Sequence, residues 1–289
     1  MRRGTAPPDG ERVARSAGAP SAPVRLLWVL ADAWTVARRN LTHIRRVPEK
    51  LADVTIQPVM FVFMFAYIFG SAIVVPGGNY RAFLMPGIFA QSMVFASMSI
   101  MSEIVNDMSK GVMDRFRSLP MARSSVLIGH AVSALAESLL GLAVMVACGF
   151  VVGWRIHTGV GQALGAFGIL LLLAFALMCV GTFAAMFIRT VEAVQGIGFV
   201  IIFPFTFVAN TFVPTAGMPP WLRVVAQWNP MSATVAACRQ LFGNAVGGTG
   251  AATAWPLVHP VVDALIFGIG MSAVFLPLAV WRFRSVTSR

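Results

Sequence analysis

One carboxylic acid lies near the middle of a long apolar stretch, where a charge is costly to bury. Glu137, with Ser133 and Ser138 nearby, lies within the stretch that runs from Ser125 to Gly153. Ionisable side chains in such surroundings are rare and commonly have a function. Two interpretations stay open for Glu137. It contacts a molecule that the protein moves, or it is a protonated or hydrogen-bonded carboxyl that holds helices together.

A second candidate is the polar segment that begins at Gly111 and stops before Pro120. As a helix it places Phe116 and Leu119 on one edge, with Arg115 and Arg117 beside them. Such a short helix is not stable alone in water. The pattern therefore favours a docking surface for a partner protein. The alternative is a solvated connection whose arginines only fix its side of a membrane.

No constellation for catalysis or metal binding accompanies these candidates. The four histidines are scattered, and three cysteines cannot build a disulfide framework. The glycine-rich G-x-x-x-x-G-K-[ST] loop that cradles nucleotide phosphates is also missing, because neither Lys50 nor Lys110 follows such a pattern. We therefore expect no catalytic residue, no metal and no cofactor bound by this chain.

The candidate residues are carried by a chain made mostly of apolar stretches. Hydrophobic residues make up 57% of the 289 residues and charged residues only 11%, well below the ~25% of soluble domains. Each stretch is long enough to cross a hydrocarbon core of ~30 Å as a helix. The six stretches are Val54–Val75, Phe83–Val105, Ser125–Gly153, Gly161–Ile188, Gln195–Val213 and Leu257–Trp281. These predict an all-α polytopic membrane protein with six transmembrane helices.

The basic residues predict how these helices are oriented. Six crossings put both termini on one side, and 18 of the 22 lysines and arginines fall on that side. The other side keeps Arg81, Arg155, Arg223 and Arg239. Basic residues near span ends are retained in the cytoplasm, so both termini are expected there. The net charge of +11 follows from this bias, and nucleic-acid binding is not expected.

The N-terminal region divides into a tail and a surface helix. Residues 1–24 are rich in Arg, Pro and Ala and lack the apolar core of a signal peptide, which predicts a disordered cytoplasmic tail. From Leu27 onward, apolar residues at helical spacing alternate with arginines, as in a helix that lies in the membrane interface. Residues 25–289 are expected to form a single membrane domain.

Two further features concern the spans and the segment before the last one. Aromatic residues concentrate in the first, second and fifth spans, and such walls accommodate varied amphipathic molecules; facing lipid or neighbouring helices is the commoner alternative. With Glu137, the substrate-pathway candidates are Phe95, Phe199, Phe203, Phe207 and Asn210.

The stretch from Pro214 to Gly243 predicts a helix–turn–helix that dips into the outer leaflet. Asp263 in the last span has Arg223 or Arg239 as a possible partner.

Several motifs, taken in order, resemble the membrane subunits of type-2 ABC exporters, and more narrowly the daunorubicin-resistance permeases of actinobacteria. The motifs are Phe83-Leu-Met-Pro-Gly87, Gly111-Val-Met-Asp-Arg-Phe-Arg-Ser-Leu-Pro-Met121, Phe61-Val-Phe-Met-Phe-Ala-Tyr-Ile-Phe-Gly70, Phe203-Pro-Phe-Thr-Phe-Val-Ala-Asn-Thr-Phe-Val-Pro214, Met218-Pro-Pro-Trp-Leu222 and Asn229-Pro230. The resemblance covers nearly everything after the tail.

The resemblance implies a bacterial plasma-membrane permease with an interfacial helix, a coupling helix at Gly111–Leu119 and re-entrant helices before the sixth span. It also implies pairing with a second permease subunit, identical or homologous, and with ATPase subunits that bind ATP and Mg²⁺. Hydrophobic drugs, antibiotics or lipids would be the exported molecules. The rival classes are a secondary transporter, which normally shows repeats and several buried carboxylates, and a non-transporting membrane scaffold.

Overall fold

The computed structural model describes residues 56, 59–70, 79–110, 123–212, 217–244 and 254–286, and within these ranges the regular structure is helical, without strands. The all-α prediction is therefore confirmed for this part of the chain. The predicted tail (1–24), the predicted interfacial helix and the predicted coupling helix with Gly111, Arg115, Phe116, Arg117 and Leu119 lie outside the described residues.

Nine helices follow one another along the described ranges. The first, α1, is the apolar helix Val59–Ile68, which takes a π-helical form over Met64–Phe69. The others are α2 (Tyr80–Ser109), α3 (Arg123–Val152), α4 (Val160–Ala185), α5 (Val191–Phe207), α6 (Pro220–Gln227), α7 (Pro230–Leu241), α8 (Trp255–Val258) and α9 (Pro260–Val286).

Each of the six apolar stretches corresponds to a helix, but the helices are not equally long. Four of them, α2, α3, α4 and α9, are long and apolar enough to cross a membrane, whereas the described parts of α1 and α5 are shorter. The sixth stretch was expected to begin at Leu257, but that residue belongs to the separate short helix α8, and α9 begins at Pro260. The helix break at His259 shortens the last predicted span.

Helix α2 is the centre of the fold. In its most apolar window 72% of the residues are buried, and it contacts α1, α3, α4, α5 and α7. Helix α9 packs against α4 and α7. The faces of α5 and α9 that point away from the rest of the chain carry large apolar side chains such as Val200 and Ile266. A hydrocarbon solvent explains such faces, because apolar side chains are not excluded from lipid.

An aromatic cluster joins α2, α3, α4 and α7 near one end of the molecule. Trp154, which is 1% exposed, follows α3 and has T-shaped contacts with Phe89 of α2 and Phe242 after α7, both at 5.2 Å between ring centroids. Phe242 also contacts Phe167 of α4 at 5.1 Å. Such edge-to-face pairs stabilise beyond their buried area, so this cluster fixes the order in which the four helices pack.

Close approach between α2 and α4 depends on a glycine. A Cβ atom at Gly181 of α4 would lie 2.8 Å from the backbone oxygen of Ser97 in α2, whereas one at Gly168 of the same helix would meet nothing within 4 Å. Small residues allow helix backbones to approach closely in membranes. Since a backbone oxygen cannot rotate away as a side chain can, the contact at Gly181 requires the absence of a side chain.

We predict that Gly181→Ala lowers the free energy of unfolding by about 1–3 kcal/mol, because α4 must move away from α2 to accept the methyl group. Gly168→Ala is the matched control and should leave stability unchanged or slightly raised. Thermal unfolding of both variants in detergent, followed by size-exclusion chromatography, measures the difference. Equal midpoints for the two variants would contradict the close approach.

Candidate functional site

A cavity of about 210 Å³ lies between α1, α2 and α3. Its wall is mainly apolar, with Phe61 from α1, Phe95 from α2 and Met145 from α3 among the lining residues. On α2 the lining positions include Gln91, Phe95 and Ser99, which follow one another at i, i+4 and i+8 and therefore share one helix face. The cavity is thus formed by one face of α2 and one face of α3, together with Phe61 of α1.

The cavity also has polar groups in its wall. Glu137 of α3 and Gln91 of α2 both line it. Gln91 is 3% exposed, and among the described residues its Nε2 atom has no hydrogen-bond partner. A buried amide N–H without an acceptor costs on the order of 1–3 kcal/mol. The site therefore offers a carboxyl group and an unused hydrogen-bond donor inside an apolar wall.

The size of the cavity limits what one chain can hold. Pockets for drug-sized molecules span roughly 300–1,000 Å³, whereas this cavity measures about 210 Å³. It accommodates an amphipathic group or part of a larger molecule. A drug-sized ligand requires that the helices move apart or that a second chain completes the wall.

Phe95 and Glu137 are the two predicted substrate-pathway residues that line this cavity together. The other aromatic candidates lie elsewhere. Phe199, Phe203 and Phe207 form a ladder along α5, with ring centroids 5.9 Å and 4.1 Å apart. Phe199 is 54% and Phe203 43% exposed, so these two rings face away from the chain's interior. Phe207 is partly buried and packs against the core, with its ring 4.9 Å from that of Phe212.

The remaining candidate, Asn210, belongs to a hydrogen-bond network centred on Arg239. The guanidinium of Arg239 donates to the Asn210 side-chain oxygen at 3.2 Å and to the Asn210 backbone oxygen at 2.8 Å. Its Nε–H donates to the backbone oxygen of Phe83 at 2.9 Å, and a further bond reaches the Thr211 oxygen at 3.2 Å. Asn210 donates its own N–H to Ser232 Oγ. The polar groups of Asn210 are therefore used within the protein.

Arg239 is 5% exposed and lies 3.5 Å from the centroid of the Phe83 ring. A charge so deeply buried is normally expensive, but here four carbonyl-type oxygens and one aromatic face surround it. These contacts join α2, the turn after α5 and α7. The sequence suggested Arg239 as one possible partner for Asp263. In the structure, Arg239 donates its hydrogen bonds to Phe83, Asn210 and Thr211.

The helix that carries Arg239 is placed by strong local signals. Asn229 caps α7 by accepting from the Met231 N–H, and Pro230 follows at the first helical position. At the other end, Gly243 has φ +73°, and the N–H groups of Gly243 and Asn244 donate to the oxygens of Gln240 and Arg239. This is a Schellman termination. The predicted helix–turn–helix is confirmed as α6 and α7, although its depth in a membrane remains a prediction.

The same cap reaches across to α5. The side-chain N–H of Asn229 donates to the Phe205 oxygen at 2.8 Å, which is one of the four carbonyls left without an intrahelical donor at the end of α5. Sequence reasoning treated Arg239 as one of the few basic residues outside the cytoplasm and missed this role. The available signal was an arginine inside an otherwise small and apolar helix, which indicates a buried partner.

We predict that Arg239→Gln destabilises the protein by roughly 3 kcal/mol or more, because several buried carbonyls lose their donor at once. Arg239→Lys should recover only part of this loss, since a single ammonium cannot reproduce the planar fork. Arg155→Gln is the control, because exposed Arg155 donates to the nearby oxygens of Phe150 and Trp154, within five residues along the chain. Unfolding midpoints in detergent that are equal for Arg239→Gln and Arg155→Gln would refute the role of the network.

Comparison with known proteins supports the same architecture. The family model of the ABC-2 type transporter matches residues 31–242. A daunorubicin resistance ABC transporter permease protein of Streptomyces coeruleorubidus is 30% identical over 96% of this chain and 90% of its own length. A probable doxorubicin resistance ABC transporter permease protein of Mycobacterium tuberculosis is 25% identical over 89% of this chain and 90% of its own.

A more distant relative, a putative transport permease of Cyanophora paradoxa, is 22% identical over 90% of this chain and 88% of its own length. The matches run through the α2 centre, the cavity and the Arg239 network. Together with the helical membrane architecture, they show that the chain is a multi-pass membrane protein and belongs to the ABC-2 type transporter family.

Proposed function

We propose that this chain is the permease subunit of an ATP-driven exporter of hydrophobic drugs, antibiotics or lipids. The observation that carries the proposal is the cavity between α1, α2 and α3, where Phe95 and Glu137 face the same space. Two relatives are named for resistance to daunorubicin and doxorubicin. A mostly apolar wall with few polar groups suits amphipathic molecules of this kind.

The motor is a separate ATPase chain in this proposal. The sequence has no glycine-rich phosphate loop, and its relatives are permease subunits. ATP and Mg²⁺ therefore bind to the partner, which docks on the segment from Gly111 to Leu119. A second permease, identical or homologous, completes the membrane part. The small volume of the cavity in one chain supports this pairing, because a drug-sized molecule needs a larger cavity than one chain encloses.

The orientation follows from the distribution of charge. With 18 of 22 basic residues on the side of the termini, both ends lie in the cytoplasm of a bacterial plasma membrane. This orientation puts the Ser109 end of α2 and the start of α3 on the cytoplasmic side. The Arg239 network and the α6–α7 hairpin then lie toward the outer leaflet.

The test is ATP-dependent uptake of doxorubicin into inverted vesicles that contain this chain and its cognate ATPase. We predict uptake with the intact complex, and none when the phosphate-loop lysine of the ATPase is replaced.

Glu137→Gln should raise the half-saturating concentration of a hydrophobic cation about tenfold, because a buried charged hydrogen bond contributes on the order of 1.5 kcal/mol. A neutral hydrophobic probe should be affected much less.

Glu192→Gln is the matched control, since Glu192 is an exposed acid in the first turn of α5. If Glu137→Gln weakens uptake of cationic and neutral probes equally and lowers thermal stability, Glu137 holds helices together and does not contact the substrate. Absence of ATP-dependent uptake of drugs and lipids by the wild-type complex would refute the proposed function itself.

We further predict that Phe116→Ala weakens binding of the ATPase by roughly 30-fold, because a buried aromatic at the centre of an interface contributes on the order of 2 kcal/mol. Copurification of the two chains and their titrated association in detergent measure this effect. Phe150→Ala, a partly exposed phenylalanine near the opposite end of α3, should leave association unchanged.

Substitutions of the two arginines in this segment distinguish docking of the ATPase from binding to lipid. If Arg115→Ala and Arg117→Ala weaken only binding to anionic vesicles, they contact headgroups, and docking depends on Phe116 and Leu119. If the Phe116→Ala protein copurifies with its ATPase normally and transports at the original rate, the docking assignment is wrong.

A further inference from the structure

Three ionisable side chains meet where α2 ends and α3 begins. Glu103 and Asp107 lie on α2, four residues apart, and therefore on the same face of that helix. His130 of α3 lies opposite them and is 2% exposed. The chain that connects the two helices, residues 111–122, leaves α2 and enters α3 on this side. We call Glu103, Asp107 and His130 the clasp.

Each ring nitrogen of His130 faces a carboxylate. Nε2 lies 3.3 Å from an Asp107 oxygen, and Nδ1 lies 3.8 Å from a Glu103 oxygen. A neutral imidazole has one N–H and would turn its bare nitrogen toward one of the carboxylates. A ring that carries a proton on both nitrogens is attracted to both. The geometry therefore fits an ionic bridge between two helices with little water around the ring.

The clasp also adjoins the cavity. Ser99 and Ala134 line the cavity, and each lies four residues, or about one helical turn of ~5.4 Å, from a member of the clasp. Ser99 precedes Glu103 on α2, and Ala134 follows His130 on α3. The three side chains thus lie between the cavity and the connection 111–122, on both of the helices that form its main walls.

We propose that Glu103, Asp107 and His130 hold α2 and α3 together at this end, so that a force on the connection 111–122 moves both walls of the cavity as one unit. These are positioning residues for transport and contact neither ATP nor substrate. The inference rests on the proposed function, because it assumes that an ATPase pushes on this connection. Ionic contacts to a buried ring suit this task, since opposite charges attract strongly where screening is weak.

A covalent replacement of the clasp tests this directly. In a variant without Cys148, Cys179 and Cys238, the pair Asp107→Cys and His130→Cys removes the ionic contact and places two thiols at its ends. Transport of doxorubicin per ATP hydrolysed should fall about tenfold in the reduced double-cysteine complex. A short bifunctional thiol crosslinker should then restore it to near the cysteine-free value. Loss of transport on crosslinking would show that the helices must separate here, which overturns the proposal.

Single substitutions give an independent reading. His130→Gln should lower transport per ATP hydrolysed about tenfold while ATP hydrolysis and copurification of the ATPase persist, and Asp107→Asn should have a larger effect than Glu103→Gln because its contact is shorter. Combining His130→Gln with Asp107→Asn should be no worse than His130→Gln alone, since contacting residues are not additive. His259→Gln, at an exposed histidine far along the chain, is the control.

The results distinguish a failure of the proposed transport function from a failure of the clasp proposal. If the wild-type complex shows no ATP-dependent uptake, the proposed function fails, whatever the variants do. If the wild type transports and the carboxamide variants keep the same ratio of transport to ATP hydrolysis, the clasp has no coupling role. Should His130→Gln fail to insert in the membrane, Asp107→Asn decides, because it removes the charge from the closer contact while His130 stays in place. An unchanged ratio in Asp107→Asn then overturns the proposal.

Discussion

The fold depends on satisfying backbone carbonyls where little water is available. Arg239 donates hydrogen bonds to oxygens of Phe83, Asn210 and Thr211, and its guanidinium group lies over the Phe83 ring. In hydrocarbon, irregular backbone is tolerated only when other parts of the protein bind its polar groups. The turn after α5 is irregular backbone whose oxygens are bound in this way. A single side chain of α7 therefore allows α5 to end where it does and ties that end to the central helix α2.

The glycine at position 87 is part of the same arrangement. A Cβ atom there would lie 2.7 Å from the Thr211 oxygen, so α2 and the turn after α5 are in backbone contact beside the guanidinium. Tyr80 adds a hydrogen bond to the Phe212 oxygen, and the Phe212 ring stacks on Phe65 of α1 at 4.4 Å. The Arg239 network thus connects α2, the turn after α5 and α7, and through the Phe212 ring it extends to α1.

Much of this architecture could be predicted from the sequence. Apolar stretches located the helices, and proline and glycine signals located the α6–α7 hairpin, which begins at Pro220, breaks before Pro230 and ends at Gly243. The role of Arg239 was not predicted, because it depends on contacts between residues far apart in the chain. The break at His259 has a local signal, since the residue before a proline disfavours helical backbone and Pro260 follows it. Phe95 and Glu137 line one cavity because a face of α2 and a face of α3 lie opposite each other. Phe199 and Phe203 belong to an equally aromatic span but face outward. Composition reveals aromatic content, and only packing decides which side it faces.

The distribution of polar groups along α2 indicates which movements of the helices are possible. Phe83 binds Arg239 near one end, and Glu103 faces His130 near the other, a separation of about 30 Å at 1.5 Å per residue, close to the thickness of a hydrocarbon core. Between them lies the apolar cavity with Gln91 and Glu137. Strong polar contacts resist sliding, whereas apolar contacts allow helices to shift at lower cost. If α2 stays fixed to its neighbours at both ends, the width of the cavity can change only where the helices tilt or bend between these two points.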